Sequence, residues 1–360
     1  MPFTEQPKKT KKSTIFRYAY IGLTVIVIVL IGVLDKNFAG LVEALKDFSL
    51  KWLLISTFGI VMYWITDAWL LKDITSYLYE GKFSFISALK VGLIGLYYGA
   101  LTPSATGGQP MQVVYMRRNN IHTGIGTGIV CVKFVAYEIS LCAIYIVFMA
   151  FQGSYYYNHN TEVFWLTMLG FAINLAIVIF VFVIMINRNF ILKAGTKIIN
   201  FFARVKIIKW RLIKDKEKTQ ASYEKTVGEF TDVIKYINKN KLRFIGSLLI
   251  STLNLLILFS LIYFVYRTMG LSGHSMIELI SLNNFMYMAV SLVPTPGSAG
   301  ASEGAFYLLF SGIFPQNLMF MGMLLWRFYV YYLILFVGSG IVIGDEVRMV
   351  HAKRKQSKIS

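Results

Sequence analysis

Apolar residues run through this chain in long blocks, and two short polar stretches break them. The first is Leu101-Thr-Pro-Ser-Ala-Thr-Gly-Gly-Gln-Pro-Met111, and the second is Val293-Pro-Thr-Pro-Gly-Ser-Ala-Gly-Ala-Ser-Glu303. Each follows a helix-like apolar run, Ala88–Ala100 and Met276–Leu292. Proline lacks an amide donor and glycine readily takes positive φ, so neither stretch can continue as a helix. In hydrocarbon, broken backbone is tolerated only where it is buried in protein or lines a wet cavity. Two such breaks in corresponding halves of a membrane chain point to a transporter's binding site. A pair of surface turns between ordinary helices is the alternative.

The unbroken blocks predict six full crossings: Ile15–Leu34, Trp52–Leu71, Gly124–Ala150, Trp165–Ile186, Phe244–Tyr266 and Asn317–Gly344. Each approaches or exceeds the roughly 20 residues that a spanning helix needs. The first block follows basic residues, as a signal peptide would, but it lacks a clean small-residue cleavage site and reads as a span. Asp35–Lys51 reads as an amphipathic helix on the outer surface.

Charge sets the orientation. Lys8, Lys9, Lys11, Lys12 and Arg17 hold the N-terminus inside, and Arg348, Lys353, Arg354, Lys355 and Lys358 hold the C-terminus there. If Ala88–Leu101 crossed fully, Arg117, Arg118 and the basic 188–243 region would lie outside, against the positive-inside bias. A re-entrant hairpin restores the rule. The second break lies between Ser275 and Pro315, a stretch without Lys or Arg, and enters from outside.

The expected fold is therefore an all-α polytopic membrane protein with six transmembrane helices and two re-entrant broken-helix hairpins. Residues 1–360 form one integral membrane domain, in which a first repeat (52–150) recurs inverted as a second (244–344). Gln109 and Glu303 differ by 194 positions, as do Lys133 and Arg327. Between the repeats, 187–243 is a basic cytoplasmic segment. There, Ile198–Ile213 suits a helix on an anionic inner leaflet, and Tyr223–Ile237 has helical apolar spacing.

A hydrophobic content of 56% and a mean hydropathy of +0.59 exclude a soluble globular chain. The net charge of +18 then reports basic cytoplasmic loops drawn to anionic lipid. Nucleic-acid binding would need exposed aromatics among the basic residues, and Trp210 alone is thin support, so no nucleic-acid partner is expected. Cys131 and Cys142 lie about 16 Å apart along one helix, too far to bridge. The four histidines are scattered, so neither a metal site nor a cofactor is expected. No nucleophile-elbow, HExxH or Walker pattern occurs, which argues against catalytic residues or an ATP-driven machine in this chain.

The chemistry centres on Lys133 and Arg327. A cation buried in a span costs about 2.5–3.5 kcal/mol on insertion scales, so it normally faces a partner or a water-filled cavity. Their matched positions after the two breaks suggest a midplane pocket for an anion such as a lipid phosphate. Thr102, Gly107, Gly108 and Gln109 of the first break, with Thr295 and Gly297 of the second, would add half-helix amides and positive dipole ends. The competing reading pairs the two cations with Glu138, Asp67 or Glu303. Glu138 is badly placed to pair with Lys133 along one helix and is expected to face another, with Arg327 as one option. Glu303 could bind a substrate cation, carry a proton or cap the half-helix that follows. Asn174, Asn254, Asn283 and Asn284 read as cross-helix hydrogen bonders. The tyrosines at 155–157 and 329–332 read as interface belts and packing.

The two breaks, followed by Arg117/Arg118 and by Arg327, resemble the flippase-like family, the lysylphosphatidylglycerol synthase transmembrane region of the bacterial multiple peptide resistance factor. The family commonly has Gly-Gly-Glu where this chain has Gly107-Gly108-Gln109, and arginine where Lys133 stands. The resemblance implies a flippase of the bacterial plasma membrane. Its substrate would be an anionic or aminoacylated phospholipid such as lysyl-phosphatidylglycerol, moved between leaflets in a role tied to antibiotic resistance. The alternative it implies is a phosphatidylglycerol lysyltransferase-type enzyme that transfers an aminoacyl group from tRNA to lipid. In the full resistance factor a soluble domain does that synthesis, and none is expected here, since only sixteen residues follow Gly344. A separate lipid-modifying enzyme, or a second copy in a homodimer, are the protein partners this reading admits.

The topology makes a direct prediction. In a background lacking Cys131 and Cys142, a cysteine at Asn158 should react with a membrane-impermeant maleimide added outside intact cells, and one at Lys193 only after permeabilisation. The reverse pattern would invert every assignment above.

Overall fold

The computed structural model describes residues 48–159, 161–204, 216–290 and 293–356. The expected span Ile15–Leu34, residues 35–47 of the outer amphipathic segment and residues 205–213 of the basic helix lie outside the described residues. The described elements are α1 (Leu50–Leu78), α2 (Phe85–Leu101), α3 (Gly108–Arg118), α4 (Thr123–His159), α5 (Thr161–Ile186) and α6 (Arg188–Arg204). They continue as α7 (Lys216–Lys239), α8 (Lys241–Thr268), α9 (Met276–Val290), α10 (Ala301–Phe310), α11 (Gln316–Arg327), a π-helical turn (Phe328–Tyr332) and α12 (Leu333–Gln356). Five stretches are long and apolar enough to cross a membrane: Leu50–Leu78, Thr123–Ser154, Thr161–Met185, Lys241–Thr268 and Gln316–Asp345. They match five of the six expected crossings. Phe85–Leu101 and Met276–Val290 are shorter apolar helices that end at the two breaks.

The antiparallel pair α1 and α8 is the frame. Ser49 N–H donates to Thr268 O at one end, Asn254 donates to Tyr63 O in the middle, and Tyr77 Oη meets Ser247 Oγ at the other end. The α2–α3 hairpin begins and ends at one end of this frame. Lys90 near its start and Arg118 at its close both reach Asp345 of α12. The second hairpin, α9 to α10, begins and ends at the opposite end. His274 before it and Phe314 after it both pack edge-on against the Tyr266 ring. On the first side, α6 and α7 form the expected helical pair, with Tyr223 Oη donating to Ile191 O at 2.6 Å. Two apolar cores result, one around Phe259, Phe285 and Phe306, the other around Leu71, Val91 and Ile94. Trp64 and Leu96 pack against both.

The breaks fall where proline and glycine placed them, with narrower limits. The first helix resumes at Gly108, so Gln109, Pro110 and Met111 lie in the opening turn of α3. Proline is tolerated there because the first amides of a helix have no intrahelical acceptor. The second resumes at Ala301, placing Glu303 in the first turn of α10. Backbone φ is positive at Ser104 and Ala105 in one break and at Gly297, Ser298 and Gly300 in the other. At Gly297 a Cβ would collide with the Tyr331 ring, so only glycine fits. The breaks meet each other through an antiparallel bridge between Pro103 and Pro296.

Buried amides divide into satisfied and unsatisfied. Asn254 donates to Tyr63 O at 2.8 Å and to Thr66 Oγ1 at 2.7 Å, and Asn283 donates to Phe259 O at 3.2 Å. Asn174 donates within its own helix, to Gly170 O at 2.8 Å, and also to Met288 Sδ. Asn284 is fully buried in α9 and neither amide atom has a partner, so the cross-helix role expected for it is absent. A buried polar group without a hydrogen bond costs about 1–3 kcal/mol. Asn254→Leu should therefore lower the unfolding temperature in detergent, while Asn284→Leu should leave it unchanged or raise it.

Candidate functional site

Four helices, α1, α4, α10 and α11, bring the buried charges together. Lys133 of α4 pairs with Asp67 of α1, Nζ to Oδ1 at 2.6 Å. Arg327 closes α11, and its Nε donates to Glu303 Oε1 at 2.7 Å while Nη1 donates to Gly297 O at 3.0 Å. The other oxygen of Glu303 accepts the Gly300 N–H at 2.7 Å. Glu303 thus caps α10 and neutralises Arg327 with one carboxylate. Both side chains of that pair are at most 5% exposed.

These residues surround a cavity of about 460 Å³ where the breaks meet α1, α4 and α9. Lys133, Arg327, Glu138, Gln109, Gly108, Thr295 and Gly297 all line it, as does Asp67. Thr102, Gly107 and Glu303 stand behind the wall. Thr102 Oγ1 donates to Tyr98 O at 2.7 Å and accepts the Gly107 N–H at 2.8 Å, which closes the first turn as Glu303 closes the second.

Two expectations change here. Glu138 does not meet Arg327; among the described residues it forms no ion pair, and its buried Oε2 has no hydrogen-bond partner. Arg327 is taken by Glu303, which α10 delivers in its first turn. The tyrosines at 329–332, read as belt and packing, include two buried ones, and one of these also reaches the cavity. In the π-helical turn the Leu333 N–H reaches back to Phe328 O, and this wider turn follows Arg327 directly. Tyr331 lines the cavity, its Oη donates to Ala100 O at 3.3 Å, and its ring lies 5.2 Å from the Arg327 guanidinium. Trp326 flanks the same guanidinium at 5.5 Å.

Asp67 is the site residue that sequence reading named only as a pairing partner. Its signal was available: a carboxylate in mid-span is as costly as the cations that drew attention. The matched cations do not leave the cavity positive. Among the described residues, two cations face three carboxylates, Asp67, Glu138 and Glu303, and Glu138 is the one that neither cation takes. Among the described residues no group of three His, Cys, Asp or Glu is arranged to hold a metal ion.

The model of the lysylphosphatidylglycerol synthase TM region family matches residues 19–338, which includes both breaks and every residue of the site. The chain belongs to this family. It is also similar to a UPF0104 membrane protein of Archaeoglobus fulgidus, with 24% identity over 287 residues, covering 78% of this chain and 82% of the relative. Family and helices together make it an all-α, multi-pass membrane protein.

Removing one member of a buried ion pair strands the other and costs about 3–5 kcal/mol. Arg327→Met and Glu303→Gln should each lower the unfolding temperature markedly, and the joint variant should lose less than the sum. Additive losses in a double-mutant cycle would mean the two side chains are not coupled.

Proposed function

We propose that this chain is a lipid flippase, which carries the headgroup of an anionic or aminoacylated phospholipid between leaflets. The observation that carries the reading is the cavity of about 460 Å³ in the apolar bundle, reached by both broken helices and lined by paired charges. A hollow that holds charged side chains inside an apolar bundle meets what a headgroup crossing hydrocarbon requires. Family membership supports a lipid substrate, since the family is described by lysylphosphatidylglycerol.

The chemistry of exchange follows from the donors. Arg327 commits two of its five N–H groups, to Glu303 and Gly297. A phosphate entering the cavity can take up remaining donors of Arg327 and Lys133 while the carboxylates keep both cations charged. Gln109 and the amides that open α3 add neutral donors.

In this reading the hairpins are re-entrant and mirror-oriented, and six crossings place both termini in the cytoplasm of a bacterial plasma membrane. Convergence of the first hairpin's ends on Asp345, and of the second's on Tyr266 at the far end of the frame, supports opposite entry. Residues 52–150 and 244–344 then form inverted repeats, as in alternating-access carriers. Helix α6 exposes Lys193 and Lys197 beside Phe190 and Ile198, which suits contact with anionic inner-leaflet lipid.

Purified protein in proteoliposomes should accelerate leaflet exchange of a fluorescent phosphatidylglycerol. The neutral replacements Asp67→Ala with Lys133→Ala, or Glu303→Ala with Arg327→Ala, remove charge in pairs and avoid a stranded ion. Each should slow exchange about tenfold or more, the loss of one or two charge-assisted hydrogen bonds. Exchange at the wild-type rate in both variants would overturn the reading. Radiolabelled lysine entering lipid from lysyl-tRNA with the purified chain would establish the transferase alternative instead.

A further inference from the structure

We infer that Glu138 is a proton-exchange site, so that movement of an anionic headgroup through the cavity is coupled to movement of a proton. The coupling rests on the flippase reading; the proton site by itself does not. Glu138 lies well inside α4, is 8% exposed and lines the cavity. Among the described residues no cation pairs with it, and its Oε2 has no hydrogen-bond partner. Burial without a counter-charge costs an ionised carboxyl far more than the neutral acid. A lone carboxyl in a span is therefore a place to hold a proton, and such groups form the relays of membrane carriers.

The groups around Glu138 leave that role open to it. Within α4, Lys133 is committed to Asp67, and Tyr137 and Cys142 are the titratable neighbours. Helix α9 brings Tyr287, whose Oη accepts a hydrogen bond from the Tyr137 hydroxyl at 3.0 Å. Helix α1 brings Asp67 and Tyr63, and Tyr63 lies within electrostatic reach of both Asp67 and Tyr287. The three tyrosines thus link the surroundings of the two carboxyls, and each hydroxyl both donates and accepts. Helix α3 brings neutral Gln109 and Gln112, while α5 brings Asn174 and α8 only apolar side chains. From the second break, Arg327 is held by Glu303 beside Tyr331. Helix α7 meets α4 at His122 and Gly128, and the latter is about 15 Å along the helix from Glu138. A hard metal cation would need several oxygen ligands, and among the described residues no group of three His, Cys, Asp or Glu gathers to hold one.

Coupling follows from like-charge repulsion. With Lys133–Asp67 and Arg327–Glu303 each balanced, a phosphate adds negative charge to the hollow, and an ionised Glu138 would add more. The protonated acid removes that repulsion. Its carboxyl takes the proton from hydronium, leaving water, and returns it to water when the headgroup departs. Phosphate and proton strengthen each other's binding by the same factor, as linkage requires. Lipid and proton then move in the same direction.

Infrared spectroscopy of the purified full chain tests the proton site. At neutral pH the wild type should show the carbonyl stretch of a protonated carboxyl, shifted in heavy water and missing in Glu138→Gln. The exposed Glu80, replaced as Glu80→Gln, should leave that band in place. A spectrum without a Glu138-dependent band would overturn the inference. Coupling is tested in proteoliposomes with a fluorescent phosphatidylglycerol, scored against protein-free vesicles. A gradient of about one pH unit should tilt the lipid toward the alkaline leaflet by up to about tenfold, the limit for one proton per lipid. A protonophore should abolish the tilt, and a sodium gradient should produce none. No tilt in the wild type, or the same tilt in Glu138→Gln, would overturn the coupling. If Glu138→Gln stops exchange, Glu138→Asp decides, because it keeps a proton site and should keep the tilt. A wild type that exchanges no lipid would sink the flippase reading and the coupling with it, while the infrared band still decides the proton site.

Discussion

A chain that stops being helical inside an apolar bundle leaves amides and carbonyls that need partners, and both breaks answer that constraint. In the first break Thr102 takes both roles, donating to Tyr98 O and accepting from the Gly107 amide. In the second, Glu303 accepts the Gly300 amide and Arg327 covers the Gly297 carbonyl. The two turns also touch directly, at Pro103 and Pro296. Each break is thus closed by one of its own side chains, with Tyr98 O and Arg327 as partners outside, and the hollow lies where the two turns meet.

The charges follow from the same arrangement. A buried ion pair is weak evidence for stability, because apolar replacements of equal volume often hold a fold as well or better. Lys133–Asp67 and Arg327–Glu303 gain meaning from where they sit, on the wall of a cavity, with guanidinium donors still uncommitted. Glu138 stands apart, with no cation paired to it among the described residues. On the proposed function, the pairs hold a donor set in charged form without presenting net positive charge to an empty site.

Much of this was legible in the order of residues. Spans at 52–71, 124–150, 165–186, 244–266 and 317–344 emerged as helices because hydropathy over some 20 residues is a local property. Their ends were less legible: α1 runs on to Leu78 and α4 to His159, since packing extends helices past their apolar centres. The breaks were legible because proline and glycine act on their own backbone, whatever surrounds them. Lys133 and Arg327 stood out because a charge in an apolar run is expensive wherever that run is buried.

Pairing was not legible, and the reason is geometric. Three carboxylates lay within plausible reach of two cations, and sequence spacing ranks such options only along one helix. Asp67 reaches Lys133 from another helix, and Glu303 reaches Arg327 from the turn that α10 opens with, so helix rotation and approach decided both matches. The same holds for Tyr331, whose neighbours in a run of tyrosines resemble an interface belt until a π-helical turn sets it against Gly297 and Ala100. The amino-acid order determined which residues would be costly to bury and where the helices had to break; the tertiary structure alone decided which of those costs cancel, because cancellation depends on distances between elements far apart in the chain.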